Sequence, residues 1–197
     1  MADLRTVAVL YIDPRGPYPK MADVEPWGEL EDARKYAGPH PVVAHPPCGP
    51  WGRLRHLYQG LEHDCAPQAL AAVWRFGGVL EHPAGSGLWD ACFLPKPGEP
   101  PDRFGGYTIE VDQCDWGHVA RKRTWLYLVR VPRPIVFPTK REPTHWASGY
   151  RATSAPNPKR TGSPVPPGIK ICSAQQRRRT PPAFAEWLVS LARQVRP

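Results

Sequence analysis

Apolar positions fall into short, punctuated runs along the chain. Thr6 to Ile12 (TVAVLYI) is continuous, apolar and rich in β-branched residues, the pattern of a strand buried on both faces. It stops at Asp13-Pro14-Arg15-Gly16-Pro17, which must be a loop. Pro41-Val42-Val43-Ala44 predicts a second short strand, ended by His45-Pro46-Pro47-Cys48, and Gly28–Tyr36 between them has room for two helical turns. Pro67–Phe76 predicts a helix with Pro67 near its first turn. Gly77-Gly78 ends it, and Val79-Leu80-Glu81 starts a third strand. Thr108–Asp112 alternates like a half-exposed strand, and Thr124–Val131 (TWLYLVRV) is a strong strand pattern. Periodicity is then lost until Thr180-Pro181-Pro182 opens a final helix, Ala183–Gln194, with Phe184, Trp187, Leu188 and Leu191 on one stripe. Strand and helix alternate through residue 131, which predicts an α/β sheet with a ligand crevice at its strand ends. The expected organisation is a domain over 1–131 and a Pro-rich extension over 132–197, packed on it through the final helix.

Composition narrows this picture. A chain of 197 residues with 41% hydrophobic and 22% charged residues is neither disordered nor membrane-embedded in type. Its 27 prolines limit long helices, while eight Trp, seven Tyr and five Phe can anchor a core. The first residues, MADLRTVAVLYIDPRG, read as a strand rather than a signal peptide, so a cytoplasmic protein with no membrane partner is expected. Charge is uneven. Residues 132–197 carry 12 Lys/Arg against Glu142 and Glu186, whereas 1–131 carry 14 Lys/Arg and 16 Asp/Glu. A near-neutral body with a basic tail points to a polyanionic partner or to a solubilising segment. Five cysteines without CxxC spacing argue against a disulfide framework and a four-cysteine zinc site. His45, Cys48, His63, Cys65, Cys114 and His118 likewise lack the paired pattern of a structural zinc site, and the His-x-Glu and Pro-Cys-x2-Cys of zinc deaminases are missing. No metal is expected.

Three segments bring reactive residues to one edge of the predicted sheet. In VVAHPPCGPWGRL (42–54), Cys48 stands at the tip of a loop leaving a buried strand, stiffened by prolines and placed for nucleophilic attack. In VLEHPAGSGLW (79–89), Glu81 ends an apolar strand, where desolvation is expected to raise its pKa so that it holds a proton. In WGHVARKRTWLYLV (116–129), Arg121 and Arg123 share a face and could reach one anion or one base.

In this order, Pro46-Pro47-Cys48, Glu81-His82-Pro83 and Arg121-Lys122-Arg123 resemble the PPC, ENV and RxR segments of the DNA cytosine-5 methyltransferases, over about residues 6–131. The resemblance implies a compact, shortened Rossmann-like, methyltransferase-like mixed sheet. It also implies a DNA partner whose cytosine leaves the stack, with Cys48 as nucleophile, Glu81 on the ring nitrogens and Arg121 and Arg123 on O2 or phosphate. It names S-adenosylmethionine as donor, met by Asp13, Glu25 and Trp27. Arg53, Arg177, Arg178 and Arg179 are the expected DNA contacts. The compact size and basic tail fit a phage or mobile-element modification protein in a bacterial cell.

The chain departs from the family in its donor half. Tyr11-Ile12-Asp13-Pro14-Arg15-Gly16-Pro17-Tyr18 stands where the family has a Gly-rich turn, and only 22 residues separate Glu25 from Cys48. The family's glutamine before the arginines is absent, with Ala120 nearest. Two other readings follow: a donor-independent relative that makes another C5 substitution or hydrolyses C4, and a catalytically inactive DNA-binding protein.

Overall fold

A computed structural model describes residues 4–52, 55–146, 168 and 170–196. Its centre is a six-stranded mixed sheet, built from β1 (Val7–Leu10), β2 (Val24–Trp27), β3 (Val42–Ala44), β4 (Gly78–Pro83), β5 (Tyr107–Asp112) and β6 (Arg123–Val129). The order is β2-β1-β3-β4-β6-β5. The first four strands run parallel, and β6 lies antiparallel between β4 and β5. Helix α1 (Cys65–Phe76) joins β3 to β4, and the short α2 (Leu88–Ala91) follows β4. Beyond β6 come β7 (His145–Trp146), β8 (Lys170–Ile171), α3 (Ala174–Arg178) and α4 (Pro182–Arg193). Among the described residues no helix is long and apolar enough to cross a membrane.

The central strands β1 and β3 are buried on both faces, as their unbroken apolar runs require. Two apolar layers form on the sheet. One holds Ala8, Leu10, Leu80 and Tyr127 against Ala66, Leu70 and Val73 of α1. The other holds Val7, Val9, Val43, Val79, Leu126 and Leu128 against Phe184, Leu188 and Leu191 of α4. The final helix therefore belongs to the core of the sheet. Arg193 fastens it by donating to the carbonyls of Arg5 (3.2 Å) and Ala22 (2.9 Å).

Two elements differ from expectation. The sequence gives no strand at 24–27 because Pro26 interrupts it, yet β2 forms there, opposite Val9. Proline lacks an N–H, and β2 is an edge strand, so no ladder bond is lost on its free side. Gly28–Tyr36, read as helix, is reduced to a single 3-10 turn at Ala33–Lys35. The Asp32 side chain accepts from the Arg34 N–H and Glu31 accepts from the Gly28 N–H. Such local bonds compete with helix propagation.

β1 has β2 on one side and β3 on the other, so the strand order reverses at β1. In open α/β sheets the crevice beyond such a reversal is where ligands bind. The loops after β1 and β3 form it. Because Phe184 is fully buried and packs on Trp116 at 5.1 Å, Phe184→Ala is expected to cost about 3–5 kcal/mol in urea unfolding.

Candidate active site

β3 and β4 are neighbours in register, with Ala44 opposite Leu80, so His45, the residue after β3, comes beside Glu81, which is still within β4. Side chains alternate across a strand, which puts His45 with Val43 and Glu81 with Val79 on the α4 side. His45 Nδ1 lies 3.0 Å from Glu81 Oε2, and Tyr18, from the loop after β1, places its hydroxyl 2.6 Å from His45 Nε2. Burial, then the charge of Glu81, push the Tyr18 phenol well above its ordinary range, so it keeps its proton and can donate to Nε2. His45 Nδ1–H donates to the carboxylate whether or not Nε2 carries a proton. Gln113, from the 3-10 turn after β5, donates its Nε2–H to Glu81 Oε1 (3.1 Å) and to Thr124 Oγ1 (3.0 Å).

This arrangement corrects the expected state of Glu81. Burial alone pushes its carboxyl up, as the sequence reading assumed. The His45 hydrogen bond and the charges of Lys122 and His45 outweigh it and hold the group at about 2, as a carboxylate.

Cys48 sits three residues past His45 at an exposed loop tip. Its carbonyl accepts from the N–H groups of Trp51 (3.1 Å) and Gly52 (2.7 Å), which closes the turn behind it. Loss of water around the thiol and then the Glu81 charge push its pKa up, while Lys122 and Arg178 pull it down.

The arginines go elsewhere. Arg121 and Arg123 do share a face, but it is the α1 side of the sheet. There Arg121 pairs with Asp112 (2.6 Å) and Arg123 with Glu110 (2.7 Å). Lys122, between them, alternates to the side of Thr124 and Leu126, and its charge acts on both Glu81 and Cys48. Of these three basic residues, Lys122 is the one whose charge acts on Glu81 and Cys48. Gln113 reaches Glu81 from the preceding strand end.

Part of the basic tail lies beside these residues. His118 donates its Nε2–H to the Gln176 carbonyl (3.0 Å), tying α3 to the strand ends. Ser173 caps α3 with a reciprocal Gln176 bond. Arg178 consequently acts on Cys48, and Arg177 on Cys172. Arg179 follows directly as the C-cap of α3. Arg53 lies outside the described residues.

Each of the expected donor contacts has neighbours of its own. Asp13 is exposed and accepts from Arg15 (2.9 Å). Glu25 lies inside β2 opposite Ala8, with its carboxylate 3.9 Å from His40. Trp27 packs edge-on against Tyr36 at 5.3 Å. Among the described residues no group of three or more His, Cys, Asp or Glu could hold a metal ion.

Two buried polar atoms near Glu81 lack partners among the described residues: Gln113 Oε1 and His82 Nε2. Burial holds His82 down at about 4, so it stays neutral at physiological pH. The amide orientation of Gln113 follows from its two acceptors. Thr124 Oγ1 gives its own hydrogen to the Lys122 carbonyl, so it can only accept from Gln113. Its Oε1 is thus left free for a donor group.

The chain matches no family model, no curated protein and no solved structure.

Tyr18, Gln113 and Lys122 were not singled out from the sequence, and His45 was weighed there only as a metal ligand. For Lys122 the signal was present, in the alternation of TWLYLV, because a residue in phase with Thr124 and Leu126 must face the opposite side from Arg123. Tyr18 had none, since its position depends on a loop path. The depressed Glu81 value has a consequence for stability. A carboxyl held below its unfolded value contributes stability that is present above about pH 4.5 and is lost as pH falls toward about 2. Urea unfolding should therefore show Glu81→Gln less stable than wild type at neutral pH, with the deficit shrinking across that window.

Proposed function

We propose that the protein modifies a pyrimidine base in DNA, most simply cytosine, by adding the Cys48 sulfur to C6 of the ring. The observation that carries this reading is the meeting of Cys48 and Glu81 at the ends of two adjacent parallel strands, with the charge of Lys122 acting on both.

The chemistry asks for these groups. C5 of cytosine is a poor nucleophile in an aromatic ring. Sulfur addition at C6 breaks that aromaticity and makes C5 enamine-like. In this reading Glu81 is the carboxyl that contacts N3 and the exocyclic amine, and Lys122 offsets the negative charge that arises as the thiol ionises and the ring accepts electrons. Loss of water and then the Glu81 charge raise the Cys48 thiol at rest, and a cytosine that pairs with that carboxylate removes the second of these. The base must leave the duplex or come from a single strand to reach an edge-of-sheet cysteine. Methyl or related one-carbon transfer to C5 is the outcome that the resemblance favours, with S-adenosylmethionine as donor. No step is routed through that donor.

Exchange of the cytosine C5 hydrogen for deuterium tests the addition without any donor. DNA incubated in heavy water should gain one deuterium per target base, read by mass spectrometry. Cys48→Ala should abolish the exchange, Lys122→Ala should slow it about tenfold or more, and Arg123→Ala should change it less than about twofold. Exchange that survives Cys48→Ala would move the nucleophile elsewhere, and none by the wild type would favour a binding protein.

The basic residues 177–179 carry a second expectation. Replacing Arg177, Arg178 and Arg179 with Ala should weaken binding to all DNA sequences alike and reduce the salt slope by about 0.9 per lost phosphate contact. Unchanged binding and slope would make the tail a solubilising segment.

A further inference from the structure

Resting on the addition of Cys48 to cytosine, we propose that His45 is the proton reserve of the site: it reloads Glu81 with the proton that the carboxyl passes to N3 of the base. It acts through Glu81 and is a positioning and relay residue, without contact to substrate.

The need arises from the pair itself. Addition at C6 sends electrons to N3, which must take a proton. Glu81 is the group placed to give one, yet it rests as a carboxylate and has none. The groups facing it can be taken element by element. Tyr18, from the loop after β1, holds its proton too firmly to release it. Cys48, from the loop after β3, is the nucleophile. On β4, His82 points to the opposite face, where its Nδ1 bonds Ser86 Oγ at 2.7 Å. Gln113 offers an amide, which does not titrate, and Lys122 and Arg178 contribute charge. His45 remains, in direct hydrogen bond with Glu81 at 3.0 Å and with only 12% of either side chain exposed. Histidine is also the side chain whose ordinary range spans neutral pH.

Tyr18 completes the device. Its hydroxyl both donates and accepts. It can therefore accept from Nε2–H when His45 is an imidazolium and donate to Nε2 when His45 is neutral, across the same 2.6 Å contact.

The step balances. The Cys48 thiol has released its proton to water, and the thiolate pair forms the S–C6 bond. The C5=C6 π pair becomes C4=C5, and the N3=C4 pair takes the proton from Glu81, which receives the Nδ1 proton of the imidazolium. His45 is left neutral, hydrogen-bonded to Tyr18. Elimination reverses each transfer and restores the imidazolium–carboxylate pair.

The working form thus needs a thiolate and a protonated pair together, which gives a bell-shaped rate against pH. The test is the pH profile of C5 deuterium exchange in wild type and His45→Asn. Asparagine can place an N–H where Nδ1 stands, so it keeps the hydrogen bond to Glu81 but carries no extra proton. Exchange is expected to fall about 100-fold at neutral pH, with the optimum moved to acid, where Glu81 can protonate itself. A wild-type rate and profile in His45→Asn would overturn the reserve while leaving the Cys48 addition intact. Absence of exchange in the wild type would instead remove the function and this role with it. A measurement on the unmutated protein guards against misfolding of the variant. The imidazole nitrogen NMR shifts of His45 should change along the alkaline limb of the rate profile, and shifts that stay constant there would overturn the proposal.

Discussion

A carboxylate buried at the end of a β-strand is costly unless its oxygens are bonded, and Glu81 dictates much of what surrounds it. One oxygen takes His45 and the other Gln113, while Lys122 supplies compensating charge. Each partner comes from a different segment: the end of β3, the turn after β5 and the residue before β6. The strand pairing β3-β4-β6-β5 brings those segments together. Removing His45 or Gln113 leaves a carboxylate oxygen with an unmet bond, and removing Lys122 takes away compensating charge, so the four residues behave as a unit. Cys48 inherits its place from this unit, since it lies three residues beyond His45 on a proline-stiffened loop.

The alternation of side chains across the sheet decides which cation joins that unit. Arg121 and Arg123 looked like the reactive pair because they share a face, and that inference about sharing was sound. Which face they share depends on the register between β4 and β6, where Glu81 stands opposite Leu126. Leu126 and Lys122 are in phase, and the arginines are out of phase. The register is a tertiary fact, although the parity of Lys122 with Leu126 was readable in the chain. The arginines are consumed by Asp112 and Glu110, two acids of β5 on that same outer face.

The elements most legible in the sequence were those with a strong local reason to form. β1, α1, β6 and α4 each carry an unbroken or periodic apolar pattern and a clear stop, and each stands within a few residues of its expected span. β2 was hidden by Pro26, which is harmless only on a sheet edge, a position that sequence does not reveal. The turn at Ala33–Lys35 shows the converse, since polar side chains at Glu31 and Asp32 spent their acceptors on nearby backbone. At the site, the types and order of Cys48 and Glu81 were legible, whereas the protonation state of Glu81 was not. Desolvation is readable from an apolar strand, but the hydrogen bond that defeats it joins residues 36 apart.

The two faces of the sheet carry different tasks. On the α1 side, β2 and its following turn meet Tyr36 and Trp27 in an aromatic cluster, with Trp27–Tyr36 and Tyr36–Phe76 contacts at 5.3 and 5.4 Å. Glu25 and Trp27 are committed to that face. The side bearing Tyr18, His45, Glu81, Gln113 and Lys122 is covered by α4, whose attachment to Arg5 and Ala22 holds the root of β1. Because β1 leads into the loop bearing Tyr18, fixing its root steadies one end of the Tyr18–His45–Glu81 chain. Helix α4 supplies that support, which gives the C-terminal helix a bearing on the site although it contributes no side chain to it.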